Sequence, residues 1–137
     1  MLKRDRYRAL RIESQTLREG LKGTHDIGDR GRSVLDNMAI IAKNKRIIGE
    51  QKASKYQDPK AIARSGMIIS NCMDTIKKTL NLLGADEQSV QEIVGYVEKN
   101  DETNVRYNLL KLLSVRNPGM YARKLAMFEQ NMNNQRG

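Results

Sequence analysis

"DPKAIARSGMIISNCMDTIKKTLNLLG", residues 58–84, decides the fold. On a wheel advancing ~100° per residue, Ile62, Ile69, Met73, Ile76, Leu80 and Leu83 fall within about 80° of one another. Cys72 and Ile68 widen that stripe, whereas Lys60, Arg64, Asn71, Asp74 and Lys78 fall away from it. Asp58 is a good N-cap acceptor, Pro59 suits the first helical position, and Gly84 suits the stop. The spacing predicts one helix from Pro59 to Leu83, about 40 Å long at ~1.5 Å per residue.

The same punctuation recurs downstream. Asp86 can cap a helix whose Val90, Ile93, Val94 and Val97 share one face. Asp101 or Thr103 can cap the next, with Val105, Leu109, Leu112 and Leu113 on one side, and "NPG" at 117–119 ends it. Asn117 and Pro118 then open a last helix carrying Tyr121, Leu125, Phe128 and Met132, with a frayed tail expected at "NNQRG". Upstream, residues 32–57 read as a helix in which Val34, Ile41 and Ile48 repeat every seven residues, as do Ile40 and Ile47. Apolar residues nearly vanish after Ile48, so that end is expected to be solvated or to lie on something charged. Residues 2–19 form another amphipathic pattern, with Tyr7, Leu10, Leu17 and Leu21 on one side.

Composition agrees with an all-α class. Aromatics are 4 % with no Trp, so Leu, Ile, Val and seven Met must supply the core. The expectation is five or six helices, arranged as an extended basic N-terminal helix or hairpin plus a compact C-terminal bundle. At 137 residues one core is the economical reading. Within it, residues 1–57 are expected to form the basic arm and residues 58–137 the bundle. The single Cys72 excludes an internal disulfide and reads as a packed thiol. No run has membrane-span length and the N-terminus has no signal-peptide core, so an intracellular, non-secreted protein is expected.

Residues 20–32, "GLKGTHDIGDRGR", hold four of the ten glycines and the lone histidine, His25. A nucleotide loop needs a preceding strand and GxGxxG or GxxxxGK[ST] spacing, and neither is present. Two readings stay open. Four helix-breaking glycines favour a hinge, whereas the three-and-four register through Leu17, Leu21, Thr24, Gly28, Gly31, Leu35 and Met38 runs on without a skip and favours a continuous, closely packed helix. In that heptad frame "SQTLREGLKGTHDIGDRGRSVLDNM" resembles the first half of a SNARE motif of the Vti type. The resemblance is one of shared coiled-coil grammar, and no function is carried over from it.

Charge carries the functional expectation. Net charge is +9; residues 1–64 hold 16 Lys and Arg against 8 acids, while residues 86–102 hold six acids and one lysine. One histidine and one cysteine supply no catalytic or metal constellation, so the chain is read as non-enzymatic, with no cofactor, metal or small-molecule substrate. The cations expected to contact nucleic-acid phosphates are Lys3, Arg4, Arg6, Arg8, Arg11, Lys43, Lys45, Arg46, Lys52 and Lys55, with Lys60 and Arg64 following on. Asn104, Asn108 and Lys111 sit where a helix-turn-helix would read bases, but the acidic segment just before them would repel phosphate. Binding is therefore expected through backbone charge, as part of an oligomer or larger assembly. The alternative is an assembly or adaptor subunit, of virion, secretion or trafficking type, that docks other helical proteins.

Overall fold

A computed structural model of the chain describes residues 27–136, which form five α-helices and, among those residues, no strand. They are α1 (Gly28–Ala53), α2 (Pro59–Leu82), α3 (Glu87–Glu98), α4 (Glu102–Arg116) and α5 (Pro118–Arg136). The protein is all-α. The expected sites Lys3, Arg4, Arg6, Arg8 and Arg11, and residues 20–26 of the glycine-rich stretch, lie outside the described residues.

Short connections and capping chemistry set the order of the helices. Asp58 Oδ1 accepts from the backbone N–H groups of Lys60 and Ala61 at 3.1 and 3.3 Å, which starts α2. Gly84 ends it at φ 87°, and the Ala85 N–H reaches back to the Leu80 carbonyl at 3.0 Å. Asn100 repeats that ending after α3 at φ 55°, with the Asp101 N–H on the Tyr96 carbonyl at 2.9 Å. Asp86 and Asp101 cap α3 and α4 by accepting from the Ser89 and Asn104 N–H groups. Asn117 alone separates α4 from α5, its Oδ1 accepting from the Met120 N–H at 3.2 Å.

The longest contact in the fold is the antiparallel pairing of α1 with α2, and α4 pairs closely with α5. Packing of α3 against α2 and α4, and of α4 against α1, closes the bundle. One core results. It joins Val34, Met38 and Ile41 of α1 to Cys72, Ile76 and Leu80 of α2, Ile93 and Val97 of α3, Val105, Leu109, Leu110 and Leu113 of α4, and Tyr121 and Phe128 of α5. The Tyr107 and Phe128 rings stack at 6.1 Å, which fastens α5 to α4. Helix α1 thus shares its core with the helices that follow, and the turn at 54–58 joins two helices of one bundle.

At the base of the hairpin the Leu82 carbonyl, at the C-terminal end of α2, accepts from Arg30 of α1 at 3.4 Å and from Arg116 of α4. Two guanidinium groups thereby meet the negative end of the α2 dipole, which has no basic residue in its own last turn.

Four sequence expectations are corrected. The helix expected over 32–57 runs from Gly28 to Ala53, because Ser54 leaves the helix in an extended conformation. Ile40 is exposed and Ile47 half-buried, so their heptad is not a second core stripe. Helix α2 ends at Leu82, not Leu83. On α4, Leu110 is fully buried while Leu112 is half-exposed, because α4 is flanked by α1, α3 and α5 and buries more than one face.

Gly28 has φ 71°, a left-handed conformation, so a right-handed helix does not pass unbroken through it. Three residues on, Gly31 is buried beneath Ile27: a Cβ there would meet the Ile27 Cβ and Cγ1 at 2.8 Å. Since the Ile27 Cβ itself is in the way, no rotamer change relieves the clash. Gly31→Ala is expected to cost about 1–3 kcal/mol by overpacking. Gly49, in the exposed interior of α1 with nothing within 4 Å of a Cβ, is the control. Gly49→Ala is expected to stabilise by ~1 kcal/mol. Urea denaturation of both variants measures the difference, and equal effects would mean that Ile27 does not close over Gly31.

Candidate nucleic-acid interface at the hairpin tip

Because α1 and α2 are longer than α3 to α5, their joined end projects from the bundle. Every residue from Lys52 to Lys60 is exposed. This is the end at which apolar residues run out after Ile48, and the structure leaves it solvated. Residues 43–64 carry seven Lys and Arg against two acids, net +5.

The structure brings together only some of the expected cations. Lys43, Lys45, Arg46 and Lys52 are exposed on the outer half of α1, and Lys55 is exposed in the turn. At ~100° per residue, Lys43 and Arg46 lie about 60° apart on one side of α1, while Lys45 and Lys52 lie about 20° apart on another. The cations therefore form a collar around the tip and not a single stripe. Lys60 and Arg64 extend it onto the first turns of α2, where both are exposed. Lys45 is partly committed elsewhere, since its Nζ donates to the Glu98 carbonyl at 3.0 Å and helps close the C-terminal end of α3. Among the described residues no carboxylate pairs with Lys43, Arg46, Lys52, Lys60 or Arg64; the ion pair present is Arg106 with Glu102 at 2.8 Å. An unpaired cation keeps its full charge for a phosphate, with no internal partner to displace.

The turn itself is closely bonded. The Tyr56 N–H donates to Ser54 Oγ at 3.2 Å, Gln57 Nε2 donates to the Lys52 carbonyl at 2.9 Å, and Gln51 Oε1 accepts from the Asp58 N–H at 3.0 Å. With Asp58 capping α2, one of the two acids near the tip is occupied by backbone N–H groups. At the apex the Tyr56 side chain is 83 % exposed, with Lys55 Nζ 5.9 Å from its ring centroid. Sequence reasoning passed over Tyr56; the signal was an aromatic directly after Lys55 in a stretch with no apolar periodicity left to bury it.

The helix-turn-helix candidates are engaged locally. Asn104 Nδ2 donates to Asp101 Oδ2 at 2.6 Å, Asn108 Nδ2 donates to the Asn104 carbonyl at 2.7 Å, and Lys111 Nζ lies 4.5 Å from the Tyr107 ring centroid. These contacts give all three a role in capping and covering α4.

Acids gather away from the tip, on α3 and its flanks, where Asp86, Glu87, Glu92, Glu98 and Glu102 are exposed. The Asp86 carboxyl is held below the usual carboxylate range by the Ser89 backbone N–H and then by the Ser89 side chain. A lowered folded-state value stabilises the fold above the ordinary carboxylate range, and that contribution is lost as pH falls through it. Asp86→Ala is therefore expected to lower the melting temperature at neutral pH, with the gap to the parent closing in acid. A gap independent of pH would show that the carboxylate charge is not what caps α3.

Among the described residues no helix is long and apolar enough to cross a membrane, and no three His, Cys, Asp or Glu side chains converge as metal ligands. Comparison with known proteins finds no matching family, no matching curated protein and no matching solved structure, so the functional reading rests on the geometry of this chain.

Proposed function

We propose that this protein is a non-enzymatic, basic helical module that binds nucleic acid through its phosphates, with the projecting α1–α2 tip as the contact. The observation that carries the reading is the collar of exposed cations, Lys43, Arg46, Lys52, Lys55, Lys60 and Arg64, of which only Lys55, set beside the Tyr56 ring, has a neighbour of its own. Lys43 and Ala53 are separated by ~15 Å along α1. That span matches about four phosphates along one strand at ~3.4 Å rise. Contacts of this kind hold the polymer by charge and do not read sequence. Lys3, Arg4, Arg6, Arg8 and Arg11 would add a second set of phosphate contacts.

A second reading is favoured by the other end of the hairpin, ~36 Å away along α2. There Leu82 and Val115 are 59 % and 84 % exposed and, with Leu83 and Leu112, form the apolar part of a groove whose polar edge is Asp86, Ser89 and Arg116. An apolar end of this kind suits self-association or docking of another helical protein. The two readings are compatible in a nucleoprotein assembly, where one end would bind polymer and the other would bind subunits.

Affinity measured against salt tests the first reading. With about four phosphates neutralised, binding is expected to weaken by ~100-fold between 50 and 200 mM salt. Lys43→Gln, Lys52→Gln and Lys55→Gln should each lower the slope of log K against log salt by about 1, with the melting temperature unchanged. Full affinity in the combined variant would move the contact to Arg4, Arg6 and Arg8, and no binding at low salt would overturn the reading. Light scattering tests the second: Leu82→Asp with Val115→Asp is expected to abolish self-association, whereas a parent that is monomeric at every concentration would leave this end to a different protein.

A further inference from the structure

We propose that the turn at 54–58 presents Tyr56 as a stacking platform for an unpaired base, which makes single-stranded nucleic acid the favoured ligand at the tip. The inference rests on the phosphate reading above and adds the class of polymer.

Three observations point to it. First, the Tyr56 ring is 83 % exposed, whereas Tyr96 and Tyr107 are half-buried and Tyr121 is buried. Those three, the other tyrosines among the described residues, serve the bundle by packing against it, with Tyr121 and Tyr107 next to the α4–α5 seam. Tyr56 has no such part, because no apolar residue of the turn lies beside it and the core ends well below.

Second, the backbone beneath the ring is already ordered. Ser54 Oγ bonds both the N–H and the carbonyl of Tyr56, at 3.2 and 3.4 Å, and Gln51, Gln57 and Asp58 fix the residues on either side. An exposed aromatic on a fixed turn meets a ligand with much of its ordering entropy already lost, and a tyrosine has few side-chain torsions left to fix.

Third, one cation stands beside the ring and two more lie within four residues of it in sequence. Lys55 Nζ stands 5.9 Å from the centroid, near the outer limit of a cation–π contact, so the lysine is easily displaced toward a phosphate. Lys52 and Lys60 are exposed at the last turn of α1 and the first turn of α2. A base laid on the ring would place its own and neighbouring phosphates within reach of these three ammonium groups. Aromatic faces with flanking cations are how sequence-tolerant single-strand binding is built. A duplex offers the same phosphates but keeps its base faces inside the stack, so it would gain only the charge contacts.

The experiment uses the full chain, with a short oligothymidylate and a duplex of the same length, each titrated by fluorescence anisotropy at a series of salt concentrations from low to moderate, the two probes being compared at the same salt. The parent is expected to bind the single strand more tightly. Tyr56→Ala should weaken that binding by about tenfold, leave the duplex unchanged and leave the salt slope on the single strand unaltered. Tyr56→Phe should retain parental affinity, since the ring and not the hydroxyl does the stacking. Because the side chain is exposed, both variants should melt with the parent, and circular dichroism checks that. Equal loss on single strand and duplex, or no loss on either, would overturn the platform while leaving the phosphate reading standing. Failure of the parent to bind either probe at low salt would overturn the phosphate reading first, and this one with it.

Discussion

The structure depends on the antiparallel seam between α1 and α2, and above all on the point where that seam stops being apolar. Val34, Met38 and Ile41 are buried on one side, and Cys72, Ile76 and Leu80 on the other. Each fully buried aliphatic side chain here contributes ~1.5–3 kcal/mol relative to exposure, so the lower seam anchors both helices. Helices α3 to α5 collect where this burial is available. Beyond Ile48 α1 offers nothing large and apolar for a third helix to cover, and Lys52 takes the position where the stripe would continue. The same chemistry that ends the core therefore creates the charged tip, and the division between a packed half and a solvated half is written into one helix pair.

Polarity of the molecule follows from that division. Net positive charge is concentrated at the tip and acids on α3 and its flanks, while the exposed Leu82 and Val115 lie together at the base. Asp58, an acid at the basic end, is used as a cap, and Lys45, a base facing the acidic side, closes the C-terminus of α3. Local needs of helix ends thus absorb the charges that would otherwise blur the separation.

Helix ends were the most legible part of the sequence. Asp58-Pro59, Gly84, Asp86, Asp101 and Asn117-Pro118 act through chemistry within a few residues of themselves, and such chemistry survives in any tertiary setting. The core faces of α2 and α3 were legible for the same reason, each helix having one covered side. Leu110 was missed because its burial is set by how many helices surround α4, which a wheel of α4 alone does not contain. Asn100 ended α3 without a glycine to announce it. At the tip, lysines were visible as charge, but their spread around α1 into a collar, the commitment of Lys45 to Glu98 and the bonded turn that lifts Tyr56 all needed the fold.

The short connections have a kinetic consequence. Turns spanning 54–58 and 83–86, and the single residue Asn117, make α1–α2, α2–α3 and α4–α5 contacts local in sequence. Local contacts close with little loop entropy, and helical bundles rich in them are among the fast folders. The pairing of α1 with α4 is different, since it joins segments more than 45 residues apart across two intervening helices. Barrier crossing should therefore wait on that one closure, with α1–α2 and α4–α5 as preformed halves whose meeting sets the folding rate.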